Sequence, residues 1–362
     1  MTGPRVAIVG GGILGAAIAE ALTRGGARVS LVDAGAARPQ ATPGSIAWIN
    51  ASSDWDAAYF ELRLRSIALW RDLAAASPDL PVRFRGGLGW EDTPAATEAR
   101  AKADTDRGYP SRLVDPDEAR RLAPGLTPPD GPVVHAAAEG SADPSRIAGA
   151  FRAQAAEQGA KILAGEVAAI ESAAGRATGL RLADGTRIAA DHVVVAAGTA
   201  TPELLAPLGI VLPMRPSAGV LVRTRPVAPQ LEPFLASPGL HGWQLPDGRL
   251  IAGESFGGAP DGVDRDAIVS PILARLEERF PEAGPLRADR VTAAVRPIPE
   301  DGLPVLGRVP EIAGLAVATT HSGVTLAPAI GAILAAEIAG ERPDPMAERY
   351  RIDRFSTPTA TA

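Results

Sequence analysis

Near its start the chain reads "RVAIVGGGILGAAIAEALTRGGARVSLVDAG", residues 5–35, and no other stretch restricts the fold as strongly. Val6-Ala7-Ile8-Val9 is a short apolar run, the pattern of a strand buried on both faces. Gly10, Gly12 and Gly15 follow with G-x-G-x-x-G spacing. The first glycine permits a tight turn, the second lets backbone approach a phosphate, and the third lets a helix pack on the strand. The helix is expected from about Ile13 to Arg24, where Gly25-Gly26 stops it. Its N-terminus offers unsatisfied N–H groups and the positive end of a dipole to an anion. Arg28 to Val32 reads as a second strand ending at Asp33, whose carboxylate can accept hydrogen bonds from a ribose. In this order the pieces specify dinucleotide binding. A secretory signal fits poorly, because three glycines break the apolar region and a second strand pattern follows.

A chain of 362 residues is too long for one small core and suits two domains. A net charge of −6 leaves no basic footprint for nucleic acid. There is no cysteine, which excludes disulfides, thiolate metal ligands, a cysteine nucleophile and any cofactor linked through cysteine sulfur. That fits a reducing compartment. His135, His192, His241 and His321 lack metal-ligand spacing, so no metal is expected. The most apolar long stretch, Leu315 to Ala339, is interrupted by Thr319, Thr320, His321, Ser322 and Thr325, and falls short of a membrane span. The expectation is a soluble, cytoplasmic protein with neither a membrane nor a nucleic-acid partner.

Further along, Ala57 to Ala76 carries a helical apolar stripe of Leu62, Ile67, Leu69, Trp70 and Leu73. "VRFRGGLGWED" reads as a strand pair, and "DPDEARRLAPGL" as a short helix. Asp143 and Pro144 mark a helix start, and that helix ends near Gly159. Lys161 to Ile170 reads as one strand, followed by a hairpin turning at Asp184-Gly185 and the strand Val193-Val194-Val195. "VLPMRPSAGVLVRT" and "GWQLPDGRLIAGES" read as antiparallel strands, and "DRDAIVSPILARLEERFP" as an amphipathic helix. Leu315 to Ala318 is a further strand. Thr325 is expected to cap the last helix, with Pro328 in its first turn and Gly340 at its end. Nucleotide-binding pieces thus recur in three blocks separated by sheet-rich segments, whereas an ordinary nicotinamide dehydrogenase completes its halves consecutively.

This arrangement resembles the D-amino-acid oxidase family of FAD-dependent oxidoreductases, glycine oxidase and sarcosine or dimethylglycine oxidase especially. The resemblance covers nearly the whole chain. It rests on the opening motif, "GSADPSRIAGAFRAQAAEQGA", "DHVVVAAG", "RPIPEDGLPVLG" and "THSGVTLAPAIG". It implies an α/β chain, with an FAD-binding Rossmann-like domain interleaved with an α+β substrate domain on a mixed, largely antiparallel sheet. The expected boundaries are 1–48, 140–202 and 296–362 for FAD, and 49–139 and 203–295 for substrate. By position, Gly10, Gly12, Ile13, Leu14 and Gly15 would hold the pyrophosphate, and Asp33 and Ala34 the ribose. Thr42, Ser45, Ala47 and Trp48 would pass near the flavin. Val167 would hold the adenine, and Ala197 and Gly198 would lie close to the cofactor. Ser322, Gly323, Val324 and Thr325 would wrap the flavin's pyrimidine end, where a helix N-terminus stabilises negative charge.

Arg296 matches the arginine that binds the substrate carboxylate, a task suited to its planar donors. A surface or interdomain ion pair is the plainer alternative. Two positions depart from glycine oxidase: His321 stands where that enzyme has arginine, and Trp243 where it has tyrosine. Trp243 offers an apolar wall instead of a phenol. His321 is a polar contact, a proton acceptor, or a histidine satisfied in an ordinary hydrogen bond. A larger amino acid or an N-substituted glycine is therefore expected in place of free glycine. The implied chemistry is hydride transfer from the carbon beside the amine to flavin N5, giving an imine that hydrolyses, with oxygen or another acceptor taking the electrons. FAD is expected to bind without a covalent link. The alternatives are a flavin dehydrogenase using a non-oxygen acceptor, a non-catalytic flavin-binding protein and a nicotinamide enzyme.

Overall fold

The apolar run at the start of the chain is a strand, Arg5–Val9, inside a six-stranded sheet. A computed structural model describes residues 3–38, 40–52, 56–215, 217–254 and 265–356. The sheet order is Val305–Arg308, Leu315–Thr319, His192–Val195, Arg5–Val9, Arg28–Asp33, Lys161–Ala164. Every neighbouring pair is parallel except the first. In the inner strands the valines and Ile8 are buried because both faces are covered, whereas the edge strand Lys161–Ala164 is largely exposed. The helix Ile13–Arg24 packs against the helices Pro144–Glu157 and Gly323–Ile338. Its contact with the latter is close, since a Cβ at Gly331 would lie 3.0 Å from the Ala17 carbonyl oxygen.

These elements belong to one of two units, Met1–Thr42 with Pro144–Pro216 and Val295–Ala362. The unit also holds an antiparallel three-stranded sheet of Val167–Ala173, Arg176–Leu182 and Arg187–Ala189. Its C-terminal segment is pinned by a buried ion pair. Arg351 Nη1 donates to Glu337 Oε2 at 3.1 Å and Nη2 to Oε1 at 2.5 Å. Gly307 leaves room for that guanidinium, because a Cβ there would lie 1.4 Å from Arg351 Nη1.

The second unit is Pro43–Asp143 with Ser217–Ala294. Its main sheet has eight strands in the order Ala288–Arg296, Ser217–Thr224, Leu250–Gly253, Leu240–Gln244, Phe234–Ser237, Gly87–Gly89, Val133–Ala136, Ser111–Val114. The sheet is mixed and mostly antiparallel; Phe234–Ser237 and Gly87–Gly89 run parallel. The helix Arg265–Arg279 contributes Ile272 and Leu276 to a core with Leu88, Leu235 and Leu250. The chain thus has the α/β architecture read from its sequence. Among the described residues no helix is long and apolar enough to cross a membrane.

Several local expectations differ from the structure. Lys161 to Ile170 is two strands, Lys161–Ala164 and Val167–Ala173, because pairing with Arg28–Asp33 ends at the Gly165 N–H, which donates to the Asp33 carbonyl, and Val167 onward pairs with Arg176–Leu182. "VRFRGGLGWED" is no hairpin: Val82–Arg83 pairs with Gly140–Ala142, while Gly87–Gly89 joins the large sheet. Ser255 and Asp264, included in the expected strand and helix, lie outside the described residues. Residues 43–48 and 140–143 group with the second unit, where Trp48–Ile49 pairs with Gly140–Ser141. Residues 203–216 group with the first, where Met214 bridges Pro299.

Candidate active site

The expected cofactor residues of the first unit gather at the carboxyl ends of its parallel strands, where open α/β sheets bind ligands. Gly10 follows Arg5–Val9, Asp33 ends Arg28–Asp33, Ala197 and Gly198 follow His192–Val195, and Ser322 follows Leu315–Thr319. Gly10 has φ +100°, and a Cβ there would meet the Ala196 carbonyl oxygen at 2.4 Å. A Cβ at Gly15 would lie 1.8 Å from the Gly10 oxygen, so the helix sits directly on the turn. Gly11, between the motif positions, has its own reason: its Cβ would lie 2.6 Å from Asp33 Oδ2. Gly10 and Gly11 therefore admit a turn and a carboxylate, and a Cβ at Gly12 would lie 3.0 Å from Thr42 Oγ1.

The first helix starts at Ile13 with Gly12 as N-cap and no side-chain cap. Thr42 Oγ1 accepts from the Ile13 N–H at 3.0 Å. Asp33 Oδ1 accepts from the Gly35 N–H at 3.1 Å. Gly323 approaches the same place: its Cβ would lie 3.5 Å from Ile13 and 3.7 Å from Leu14. Two helix N-termini thus converge, and such ends favour negative groups. These residues fit FAD: amide donors and a hydroxyl for phosphates, a carboxylate for ribose, and glycines that clear the path. Val167 opens the strand beyond Lys161–Ala164. Arg152, which no motif singled out, donates from Nη1 to the Gly11 carbonyl and steadies the loop.

The last helix begins at Gly323 with Ser322 as N-cap, so Thr325 lies inside its first turn and is not the cap. Pro328 falls deeper in the helix than expected. The Ser322 N–H is taken by Thr320 Oγ1 at 3.1 Å. Ser322 Oγ lies 3.2 Å from His321 Nε2. Arg296 ends the strand Ala288–Arg296, half-buried, and burial lowers its pKa from the ordinary arginine value.

Ser45, Ala47, Trp48 and Trp243 lie in the second unit. Ala47 is buried with φ +58°, a left-handed conformation that costs a non-glycine residue about 1–3 kcal/mol. Its N–H donates to Ser45 Oγ at 3.1 Å, and its carbonyl accepts from the Ala142 N–H at 3.2 Å. Trp243 is buried among Leu221, Phe234, Ala236 and Ile251, and its Nε1 donates to the Ile46 carbonyl at 2.9 Å. The indole thus fastens the segment that carries Ala47.

Trp48 stacks on Phe234 with ring centroids 4.7 Å apart and an interplanar angle of 6°. His241 meets its edge at 5.4 Å. Trp48 Nε1 donates to Glu139 Oε2 at 2.8 Å. Ser52 Oγ donates to Glu139 Oε1 at 2.7 Å. Glu139 is 1% exposed, and burial pushes it up to about 7 against the pull of Arg100, Ser52 and Trp48. Neither periodicity nor spacing marks Glu139; the one sequence sign is Gly87, which leaves space beside it.

The DAO family profile, described as FAD dependent oxidoreductase, matches residues 5–337. The chain belongs to the DAO family. This flavoenzyme is 28% identical over 359 residues to the glycine oxidase of Pseudomonas aeruginosa, covering 94% of this chain and 96% of the relative. The crystal structure of glycine oxidase from Geobacillus kaustophilus matches with TM-score 0.87 at 26% identity, covering 98% of this chain and 100% of that one. Iminodiacetate oxidase from Chelativorans sp. BNC1 matches with TM-score 0.86 at 25% identity, covering 96% and 98%. The DAO-family chain is accordingly an FAD-dependent enzyme of the amino-acid oxidase and dehydrogenase class.

Proposed function

We propose that this enzyme oxidises the C–N bond of an amino acid larger than glycine or of an N-substituted glycine. The observation that carries the reading is the near-complete match to glycine oxidase and iminodiacetate oxidase. The compounds in those two names share an amine attached to a carboxymethyl group. FAD, when bound, supplies a two-electron acceptor for the hydride on the carbon beside the amine. The chain's own contribution is orientation. Arg296 holds the substrate carboxylate, and the convergent helix N-termini at Ile13 and Gly323 hold negative charge on the cofactor. His321, where glycine oxidase has arginine, accommodates the bulkier substituent, while buried Trp243 serves to fasten the Ile46 segment. The imine would be hydrolysed by water, and the two electrons would pass on from bound FAD to oxygen or another acceptor. FAD is held without a covalent bond, so acid precipitation should leave the yellow colour in the supernatant.

Arg296→Leu tests the reading. Loss of one partner of a desolvated pair costs about 2–5 kcal/mol. The variant should bind carboxylate-bearing substrates more weakly by roughly one to three powers of ten. Flavin content should stay unchanged, and the corresponding decarboxylated amine should be affected far less. Equal losses for acid and amine would remove Arg296 from the substrate site. Anaerobic bleaching against D-amino acids, L-amino acids and N-alkylglycines identifies the substrate class, and peroxide formed under air identifies the acceptor.

A further inference from the structure

We propose that Arg152 is a positioning residue for the diphosphate of the cofactor. Its guanidinium holds the Gly11 carbonyl, which turns the Gly12 N–H of the same peptide unit toward the phosphates, and it places a positive charge beside the turn that receives them.

The geometry lies within the first unit. Arg152 is carried by the helix Pro144–Glu157, which buries Ile147, Ala148, Phe151 and Ala155. That helix packs on Ile13–Arg24, so the backbone of Arg152 is fixed relative to the glycine-rich turn. The side chain is partly buried, and its Nη1 donates to the Gly11 carbonyl. The peptide bond between Gly11 and Gly12 is trans. In a trans peptide unit the carbonyl and the N–H point in opposite directions. A carbonyl held toward Arg152 therefore aims the Gly12 N–H away from it. Among the described residues no acceptor takes that N–H, and only Thr42 Oγ1 comes within 4 Å of a Cβ built at Gly12. The other flank of Gly11 is closed by Asp33, whose Oδ2 lies 2.6 Å from the position of a Cβ there. The peptide unit is thus held on one side by a cation and on the other by a carboxylate.

Capping a carbonyl does not by itself call for an arginine, since any neutral donor of the same reach would do it. Among the described residues Arg152 forms no ion pair, and its one hydrogen bond is the one to Gly11. A partly buried cation is costly without an anion. A diphosphate supplies that anion at the carboxyl ends of the strands, where the turn lies. The helix ends at Ile13 and Gly323 contribute only partial charges to it, whereas a guanidinium contributes a whole one. An amide whose carbonyl is bound by a cation is also polarised, which strengthens its N–H as a donor. Both effects act on the phosphates and neither acts on the adenosine.

The proposal rests on the reading of the glycine-rich turn as the FAD site, and the test separates the two. Full-length protein stripped of flavin is titrated with FAD, and fluorescence quenching gives Kd. Arg152→Met should weaken FAD by about tenfold to a hundredfold, the range of one charge-assisted hydrogen bond. Arg152→Lys, which keeps a charge and a donor, should recover most of that loss. Competition against FAD distinguishes phosphate recognition from general support of the fold. Arg152→Met should weaken ADP about tenfold and adenosine less than about twofold. If Arg152→Met does not fold, Arg152→Gln decides the same point, because it keeps a donor and loses the charge; it too should weaken ADP and spare adenosine. Unchanged FAD affinity in the folded uncharged variant, or equal losses for ADP and adenosine, would overturn the proposal. Gly12→Val is measured beside them. If it abolishes FAD binding while the uncharged variant keeps wild-type affinity, the role of Arg152 alone falls. If both keep wild-type affinity, the turn is not the cofactor site and both readings fall.

Discussion

Glu139 holds its proton up to a pH at which surface glutamates have long been ionised. Its value is raised from the ordinary glutamate value of 4.5 to about 7, mainly by burial. The native state therefore binds this proton more tightly than the unfolded chain. Its contribution to stability is greatest below pH 4.5, declines as pH rises to about 7, and is flat above. The difference between Glu139→Gln and wild type should grow in the variant's favour by roughly 3 kcal/mol across that window. Urea denaturation at a series of pH values measures it, and a constant difference would refute the burial argument. Arg100, Asp104 and Tyr109 face the same carboxylate and are common to both proteins, so their own titrations largely cancel. At the opposite extreme of exposure to ligand, Gly12→Val should place a branched side chain in the phosphate path and give colourless protein. Absorbance at flavin wavelengths checks it, and full flavin content would remove the motif from the cofactor site. Gly12 was legible in the sequence because its neighbours repeat a spacing. Glu139 was not, since its partners at positions 48, 52 and 87 are brought to it only by strand pairing.

At the scale of elements, the first and last helices share one seam, and their N-termini converge. Gly331 sets the seam, with its Cβ position 3.0 Å from the Ala17 oxygen. Gly331→Ala should be nearly neutral, because the helix-propensity gain of about 1 kcal/mol offsets a small displacement. Gly331→Val should force the helices apart and cost about 1–3 kcal/mol. Thermal denaturation with simultaneous release of flavin should show both losses together; loss of stability with undiminished flavin affinity would uncouple seam from site. Both helices were readable from their apolar residues and their glycine ends. The exact start of the last one was not, since Ser322 and Thr325 are equally suited to an N-cap and only the backbone decides. The long reading of Lys161 to Ile170 failed for a related reason. Strand pattern continues through Gly165-Glu166, while the two halves pair with different sheets.

For the whole molecule, the interleaving of two units was visible as alternation between nucleotide-type blocks and sheet-rich segments. Their borders were less so, because a segment's allegiance is decided by pairings as slight as Trp48↔Ser141. The first unit has a charge lock at its end. Glu337 and Arg351 are 1% and 8% exposed, and their fork-to-fork bonds leave little unsatisfied. Arg351→Met should cost about 3–5 kcal/mol by stranding Glu337, and the double change with Glu337→Leu should recover much of it. Chemical denaturation of the two variants decides, and equal stability of single and double changes would mean the pair is not coupled.

The same lock has a consequence for biosynthesis. The strand Arg5–Val9 is made nearly two hundred residues before its neighbour His192–Val195, and Arg351 comes later still. A nascent chain still threaded through the ribosome holds Glu337 before its partner has emerged. The unit's charge lock therefore forms only once residues more than three hundred positions apart from its first strand have been made.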